Sequence, residues 1–328
     1  MADISTSYMG FKLKNPIIAG SSGLNKSVEN LQNLEKHGAA AIVLKSLFEE
    51  QIMHKINKVY NDSNQAFAYT EADDYISNYT REKDVSDYLS LIEAGKKAVN
   101  VPLIASINCV SASEWIAFAK KMENAGADGL ELNIFILPSD PKRDGLQNEQ
   151  IYFDIVNEVM RQISIPVAVK ISYYFSGLAK TALKLSWTGI AGMVLFNRFF
   201  SPDIDIEKFE VVSTNVFSTK EELSTSLRWV AMLADRVHCD IAASTGVHDG
   251  QAMVKQLLAG AKAVQIASVL YKQGFGVIGE MSDFLSSWMD RHHFKTTNEF
   301  IGKLSVKRAD NPAAYERVQF MKHFAGIE

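Results

Sequence analysis

Cysteine is scarce in this chain, with only Cys109 and Cys239 among 328 residues. A disulfide framework is therefore not expected, and a reducing cytoplasm is the natural compartment. The opening Met-Ala-Asp-Ile-Ser-Thr has neither a basic n-region nor an apolar h-region, so no secretory signal is expected. Without one, the glycosylation sequon at Asn78-Tyr-Thr carries no weight. Apolar runs are short, and none approaches the roughly 18 residues of a membrane span. Charge of one sign is lacking too. The chain has 34 Lys and Arg against 38 Asp and Glu, a net charge of −4, which supplies no general attraction to nucleic acid or a membrane surface. Low-complexity tracts, interdomain linkers, a P-loop, a Ser-His-Asp signature and basic patches interleaved with aromatics are all missing. His292-His293 has no carboxylate or cysteine pattern beside it, so no metal is expected.

What is present is a repeated strand-then-helix rhythm. Short apolar, β-branched runs fall at Pro16–Ala19, Ala40–Leu44, Leu103–Ile107, Gly129–Asn133, Val167–Ile171, Gly189–Phe196, Ile241–Ala243 and Ala263–Ile266. Such continuous apolar runs predict parallel strands buried on both faces. Helical patterns lie between them, among them Ser113–Ala125, Gln150–Gln162 and Gly250–Ala259, with Ser113 read as an N-cap. Lys36-His-Gly-Ala-Ala, Glu123-Asn-Ala-Gly-Ala-Asp and Leu258-Ala-Gly-Ala-Lys share one shape, a helix closed by Gly at C′ and a strand entered through small residues. Their recurrence predicts one closed α/β array, a (β/α)8 TIM barrel over residues 1–328, which at roughly 250 residues for the fold leaves room for extras. Insertions are expected after strands 2 and 6, at Glu49–Val85 and Ser201–Ser226, with a C-terminal helical extension at about 306–328.

The polar residues that close these strands are the candidates for chemistry. Lys45 ends the second strand and Lys170 the fifth, and a lysine closing an apolar strand points most economically into the barrel mouth. Asn108, Asn133 and Asn197 occupy strand ends as well, and amides can edge a flat heterocycle with donors and acceptors. Asn15-Pro-Ile-Ile-Ala-Gly-Ser-Ser places Ala19, Gly20 and Ser21 after the first strand. Ser244, Thr245 and Gly246 follow the seventh strand, and Ala267 and Ser268 the eighth, where barrels hold phosphate with the help of a helix N-terminus.

Together these residues resemble the dihydroorotate dehydrogenase family, particularly its soluble class 1 branch. The resemblance runs from Leu13-Lys-Asn-Pro to about Gly302-Lys-Leu, through Lys45-Ser46, Glu131-Leu-Asn133, Val169-Lys170-Ile-Ser-Tyr-Tyr-Phe and Thr245-Gly246 to Gln265-Ile266-Ala267-Ser268. It implies FMN at the C-terminal strand ends, oxidation of dihydroorotate to orotate in pyrimidine biosynthesis, and a homodimer. Ala19, Gly20 and Ser21 would back the flavin; Lys45, Ser46, Asn108, Asn133 and Lys170 would meet its ring. Ser244, Thr245, Gly246, Ala267 and Ser268 would hold its phosphate. Asn133, Asn197 and Asn61 would contact substrate, and Lys170 would stabilise negative charge on the reduced ring.

Three segments depart from the family pattern. After Glu-Leu-Asn the family reads Leu-Ser-Cys-Pro-Asn, its cysteine being the base; here Ile134-Phe-Ile-Leu-Pro-Ser139 follows, with no proton acceptor before Ser139. The family's substrate loop Asn-Ser-Met-Gly-Leu-Pro-Asn is replaced by Asn61-Asp-Ser-Asn-Gln, and its glycine run after strand six by Val212-Ser-Thr-Asn-Val. Ser139, Cys109 or an insertion-loop residue such as Ser63 are the candidates for a displaced base. Alternatives left open are an FMN oxidoreductase on another cyclic amide or enone, a Schiff-base lyase using Lys170, and a flavin-binding protein without catalysis.

Overall fold

The computed structural model describes residues 2–48, 70–108, 112–198, 201–214 and 216–316. Eight strands form the barrel: β1 (Ile17–Ala19), β2 (Ala41–Val43), β3 (Leu103–Asn108), β4 (Gly129–Asn133), β5 (Val167–Ile171), β6 (Gly192–Leu195), β7 (Asp240–Ser244) and β8 (Ala263–Ile266). All neighbouring pairs are parallel, and the order runs β2-β1-β8-β7-β6-β5-β4-β3, with β3 pairing back to β2 to close the ring. This is a (β/α)8 TIM barrel.

Period-two alternation sorts each strand into two faces. One set, including Leu44, Leu103, Leu130, Val169, Leu195, Ala243 and Ile266, packs outward against the helices. The other builds a separate inner core from Ile18, Ala41, Val43, Ile104, Ala168, Val194, Ala242 and Ala263. Small residues dominate that inner set because opposite strands converge on one axis. The N-terminal end of the axis is plugged by a hairpin absent from the sequence expectations, Thr6–Tyr8 paired with Phe11–Leu13. Tyr8, Met9 and Leu13 join the inner core, and Asp240 Oδ2 accepts the Met9 amide at 3.0 Å. Fully burying side chains of this size contributes on the order of 1.5–3 kcal/mol each.

The outer ring comprises α1 (Val28–Lys36), α2 (Thr70–Ala98), α3 (Ala112–Asn124), α4 (Gly145–Gln162), α5 (Leu178–Ser186), α6 (Leu223–Leu233) and α7 (Gly250–Ala259). After β8 come the short α8 (Ser268–Gln273) and α9 (Val277–Arg291). Gly38, Gly126 and Gly260 all have positive φ, as closing glycines require. Among the described residues no helix is long and apolar enough to cross a membrane.

Several boundaries differ from the expectations. Ser113 lies inside α3, which already begins at Ala112, so it is not the cap. A capping box formed by Asp144 and Gln147 starts α4 five residues earlier than the apolar pattern indicated. Within Glu49–Val85, residues 49–69 lie outside the described residues, and α2 starts at Thr70. After β6, Ser201–Asp205 and Glu210–Thr214 pair as an antiparallel hairpin. At the C-terminus the described residues end at Glu316, with one helical turn at Ala313–Glu316.

Candidate active site

The alternation that fills the inner core carries polar side chains onto the axis as the strands reach their C-terminal ends. Two residues beyond Ala168 comes Lys170; two beyond Ala263 comes Gln265; two beyond Gly129 comes Glu131. Glu131 is 1% exposed, and a carboxylate so buried requires partners. Gln265 supplies one, donating from Nε2 to Glu131 Oε2. Its own Oε1 accepts from Lys170 Nζ at 2.9 Å, while the ammonium stands 3.7 Å from Glu131 Oε1. The carboxylate is thus joined to the lysine through an amide rather than by a direct hydrogen bond. That relay fixes the lysine at the head of the axis and leaves ammonium protons for a ligand above it.

Around Lys170 lies a cavity of about 270 Å³ lined by residues from seven of the eight strand ends, including Ser21, Lys45, Asn133, Arg198, Ser244 and Ser268. Among the described residues, three that line it are cationic (Lys45, Lys170 and Arg198), and none is a carboxylate. On its first-strand side, Ser46 Oγ lies 3.1 Å from Ser21 Oγ and 2.7 Å from Ser106 Oγ, while the Ser46 amide donates to Ser21 Oγ. Buried Asn25 ties the β1 and β2 ends together, its Nδ2 donating to Gly20 O at 2.9 Å and Val43 O at 2.7 Å. Asn133 and Lys170 are register partners across β4 and β5, and Asn197 Nδ2 donates to Asn133 Oδ1. At the far side, Thr245 and Gly246 both adopt positive φ, at +73° and +78°. The α8 helix beside them starts at Ser268 with no side-chain cap, so its first amides are left for an acceptor.

A second cavity of about 310 Å³ adjoins the first, sharing Phe196, Asn197, Arg198, Ser244 and Thr245 with it. Its other walls include Tyr173, Tyr174 and Glu222. The tyrosine rings stack at 4.8 Å between centroids, and Tyr173 meets Phe196 edge-on at 5.7 Å. The Tyr173 hydroxyl is pushed above its usual range, first by burial and then by its neighbour Tyr174.

This polar, cation-rich mouth on a closed parallel barrel coincides with what comparison finds: the family model described as Dihydroorotate dehydrogenase matches residues 3–289. The chain belongs to the dihydroorotate dehydrogenase family. Among its relatives, Dihydroorotate dehydrogenase B (NAD(+)), catalytic subunit, of Thermoplasma volcanium is 30% identical over 322 residues, covering 94% of this chain and 100% of that protein. The proteins of the same description from Thermoplasma acidophilum and Methanocaldococcus jannaschii are 28% and 27% identical, covering 92% and 91% of this chain and 99% and 97% of theirs.

Of the residues singled out for their dihydroorotate dehydrogenase resemblance, Ser21, Lys45, Ser46, Asn133, Lys170, Asn197, Ser244, Thr245, Gly246, Ala267 and Ser268 line the first cavity together. Ala19 and Gly20 lie buried behind it, with the Gly20 amide bound to Ile266 O at 2.8 Å. Asn108 is half-buried and lines neither cavity. Ser139 is exposed and lines neither, its amide donating to Leu137 O at 2.8 Å. Asn61, Ser63 and Cys109 lie outside the described residues. Glu131, Gln265, Arg198, Tyr173 and Glu222 went unassigned in the sequence. For Glu131 and Gln265 a signal existed: each is a polar residue on the inward phase of an apolar strand. The α7 helix, which follows β7, offers no free N-terminus, because Asp249 caps it by accepting the Ala252 amide at 2.8 Å.

His248 turns out to support the loops that follow β6 and β8. Its Nε2 lies 2.9 Å from Ser218 Oγ, Lys272 Nζ donates to Ser218 O at 2.8 Å, and the Ser218 amide donates to Ser268 Oγ at 3.0 Å. Burial, then the ammonium groups of Lys272 and Lys220, push the imidazole below its usual range, against the pull of Asp249 and Glu222. The folded protein therefore binds this proton less readily than the unfolded chain. Its contribution to stability is complete above the unfolded value of about 6.5 and is lost as pH falls below it. His248→Gln, which keeps a partner for Ser218, is expected to shrink the drop in urea midpoint between about pH 7.5 and pH 5. An equal drop in both proteins would exclude His248 as the source.

Proposed function

We propose that this protein is an FMN-dependent oxidoreductase acting on a CH–CH bond of dihydroorotate or a closely related cyclic amide. The observation that carries the reading is the first cavity itself: among the described residues, three cations and no carboxylate line it, and Lys170 is held on the axis by Gln265. That donor set fits an isoalloxazine ring with an anionic phosphate tail. Ser244, Thr245, Gly246, Ala267 and Ser268 would hold the phosphate through backbone amides, hydroxyls and the uncapped start of α8. Bound FMN would supply hydride acceptance. Lys170 would place fixed positive charge beside a reduced flavin ring bound here, and Lys45 would add a second charge at the mouth. Asn133 and Asn197, already paired, present amide groups to a ring bearing carbonyl and N–H edges.

The proton step separates two substrates. Among the described residues of both cavity walls there is no cysteine or histidine, and the carboxylate of Glu222 is engaged by Arg198 at 2.8 Å and by the Thr219 amide at 2.8 Å. Of the three candidate substitutes for the base, Ser139 is exposed and lines neither cavity, while Cys109 and Ser63 lie outside the described residues. The homodimer implied by the resemblance and the cytoplasmic location expected from the scarcity of cysteine belong to this proposal. The hairpin after β6, with Ile204, Phe209 and Val211 exposed, offers a second copy an apolar surface.

The deciding experiment is an anaerobic visible spectrum of the purified protein before and after excess dihydroorotate. A flavin band that bleaches supports the family reaction. A band that persists keeps the cofactor and directs the search to other cyclic amides, enone acceptors or a non-catalytic role. A colourless protein that reconstitution with FMN does not colour overturns the flavin reading in favour of chemistry through the Lys170 amine.

A further inference from the structure

Glu131 Oε1 is an anomaly on the barrel axis. Buried side-chain acceptors are normally hydrogen-bonded, yet among the described residues this one takes no hydrogen bond. A donor stands close by, since the Lys170 ammonium is 3.7 Å away, just beyond bonding range. Gln265 holds it off. A carboxylate only accepts and an ammonium only donates, so an amide between them has one permitted orientation, with Nε2 toward Glu131 and Oε1 toward Lys170. Lys170 and Gln265 line the first cavity, while Glu131, whose register partner is Ala168, lies one inward step lower. The 2.9 Å bond to Gln265 thus keeps the ammonium at the cavity wall instead of letting it sink onto the carboxylate.

We infer that Glu131 and Gln265 are positioning residues that set, in opposite senses, how strongly this site favours a reduced flavin. The inference rests on the flavin reading of the first cavity and adds to it the control of electron affinity. Glu131 cancels part of the field that Lys170 offers to a ring gaining negative charge, because its own charge lies behind the ammonium where solvent ions screen it little. Gln265 acts the other way. By filling the gap it prevents a direct ion pair, which would draw the ammonium down from the cavity and neutralise it more fully. The axis is left formally neutral but polarised, with its positive end at the cavity. If the two residues served only to hold the barrel together, losing either would disturb the site in the same sense; this arrangement gives them opposite signs.

The test is the midpoint potential of the FMN-loaded protein, read anaerobically against reference dyes at neutral pH. In Glu131→Gln reduced flavin should be favoured at least tenfold more than in the wild type, an upward shift of about 30 mV or more for two electrons. In Gln265→Met, similar in length but without the amide, the ammonium should drop onto the carboxylate and the potential should fall by a comparable amount. The double variant has no carboxylate to drop onto, so its potential should lie above that of Gln265→Met. Either single variant gives a reading if the other does not fold. A fall or no change in Glu131→Gln, or a rise or no change in Gln265→Met, would overturn the inference. A wild-type protein that FMN does not colour overturns the flavin reading and this inference with it. A yellow protein whose potential ignores both substitutions overturns this inference alone.

Discussion

Lys170→Ala is expected to slow anaerobic flavin reduction by about 100-fold or more and, separately, to destabilise the barrel. The rate effect follows from removing fixed charge at the position where negative charge develops, a change that costs about 10²–10³ in comparable sites. The stability effect has a different origin. Glu131 is 1% exposed and its carboxylate is shared between Gln265 and the nearby ammonium. Taking away the lysine leaves a buried charge with one amide partner, a loss of roughly 3–5 kcal/mol. The two effects can be separated by adding Glu131→Gln, which removes the stranded charge. In the double variant urea unfolding should return toward the wild-type midpoint, while stopped-flow reduction stays slow. If both recover, Lys170 only balances Glu131. If Lys170→Ala alone keeps the wild-type reduction rate, the lysine has no part in the chemistry. Flavin content should hold in both variants, since the phosphate-side residues are untouched.

Gly246→Ala should be more damaging than any other glycine-to-alanine change at the cavity. A Cβ there would sit 2.2 Å from the Leu223 amide nitrogen and 2.6 Å from Leu223 Cα, with φ at +78°. Those are backbone atoms at the start of α6, so no side chain can swing away. Relief requires moving the helix or the β7 loop that lines the cavity. A left-handed backbone costs a non-glycine residue roughly 1–2 kcal/mol, and the overlap should raise the total above about 4 kcal/mol. Gly10 provides the control, with φ at +81° and nothing within 4 Å of its Cβ. Gly10→Ala should carry the conformational cost alone, roughly 1–2 kcal/mol. Comparable urea midpoints for the two variants would mean that α6 slides without cost.

These expectations rest on two kinds of information in the chain. The barrel was legible because its signals are local. Gly129–Asn133, Val167–Ile171 and Ala263–Ile266 read as strands to the residue, and Gly38, Gly126 and Gly260 marked helix ends because only a residue without Cβ turns there at low cost. Lys45 and Lys170 were legible for a related reason, since a lysine that ends an apolar strand has few places to go but the mouth. Period-two alternation also contained Glu131 and Gln265, although neither had been given a role.

The second cavity was not legible in this way. Tyr173, Arg198 and Glu222 come from three separate segments, and nothing in the spacing of positions 173, 198 and 222 announces that they meet. Barrel closure brings them together: β5 and β6 become neighbours, their loops rise from the same rim, and α6 carries Glu222 back to Arg198. The amino-acid sequence by itself determined the strands, the turns and the cations along the axis, because periodicity and backbone sterics act over a few residues. Only the tertiary structure decided that Asp249 closes one helix N-terminus while α8 has no side-chain cap, that Ser139 faces solvent, and that Arg198 pairs with Glu222 between the two cavities. Those outcomes depend on distances between segments far apart in the chain, which only the closed ring of hydrogen-bonded strands sets.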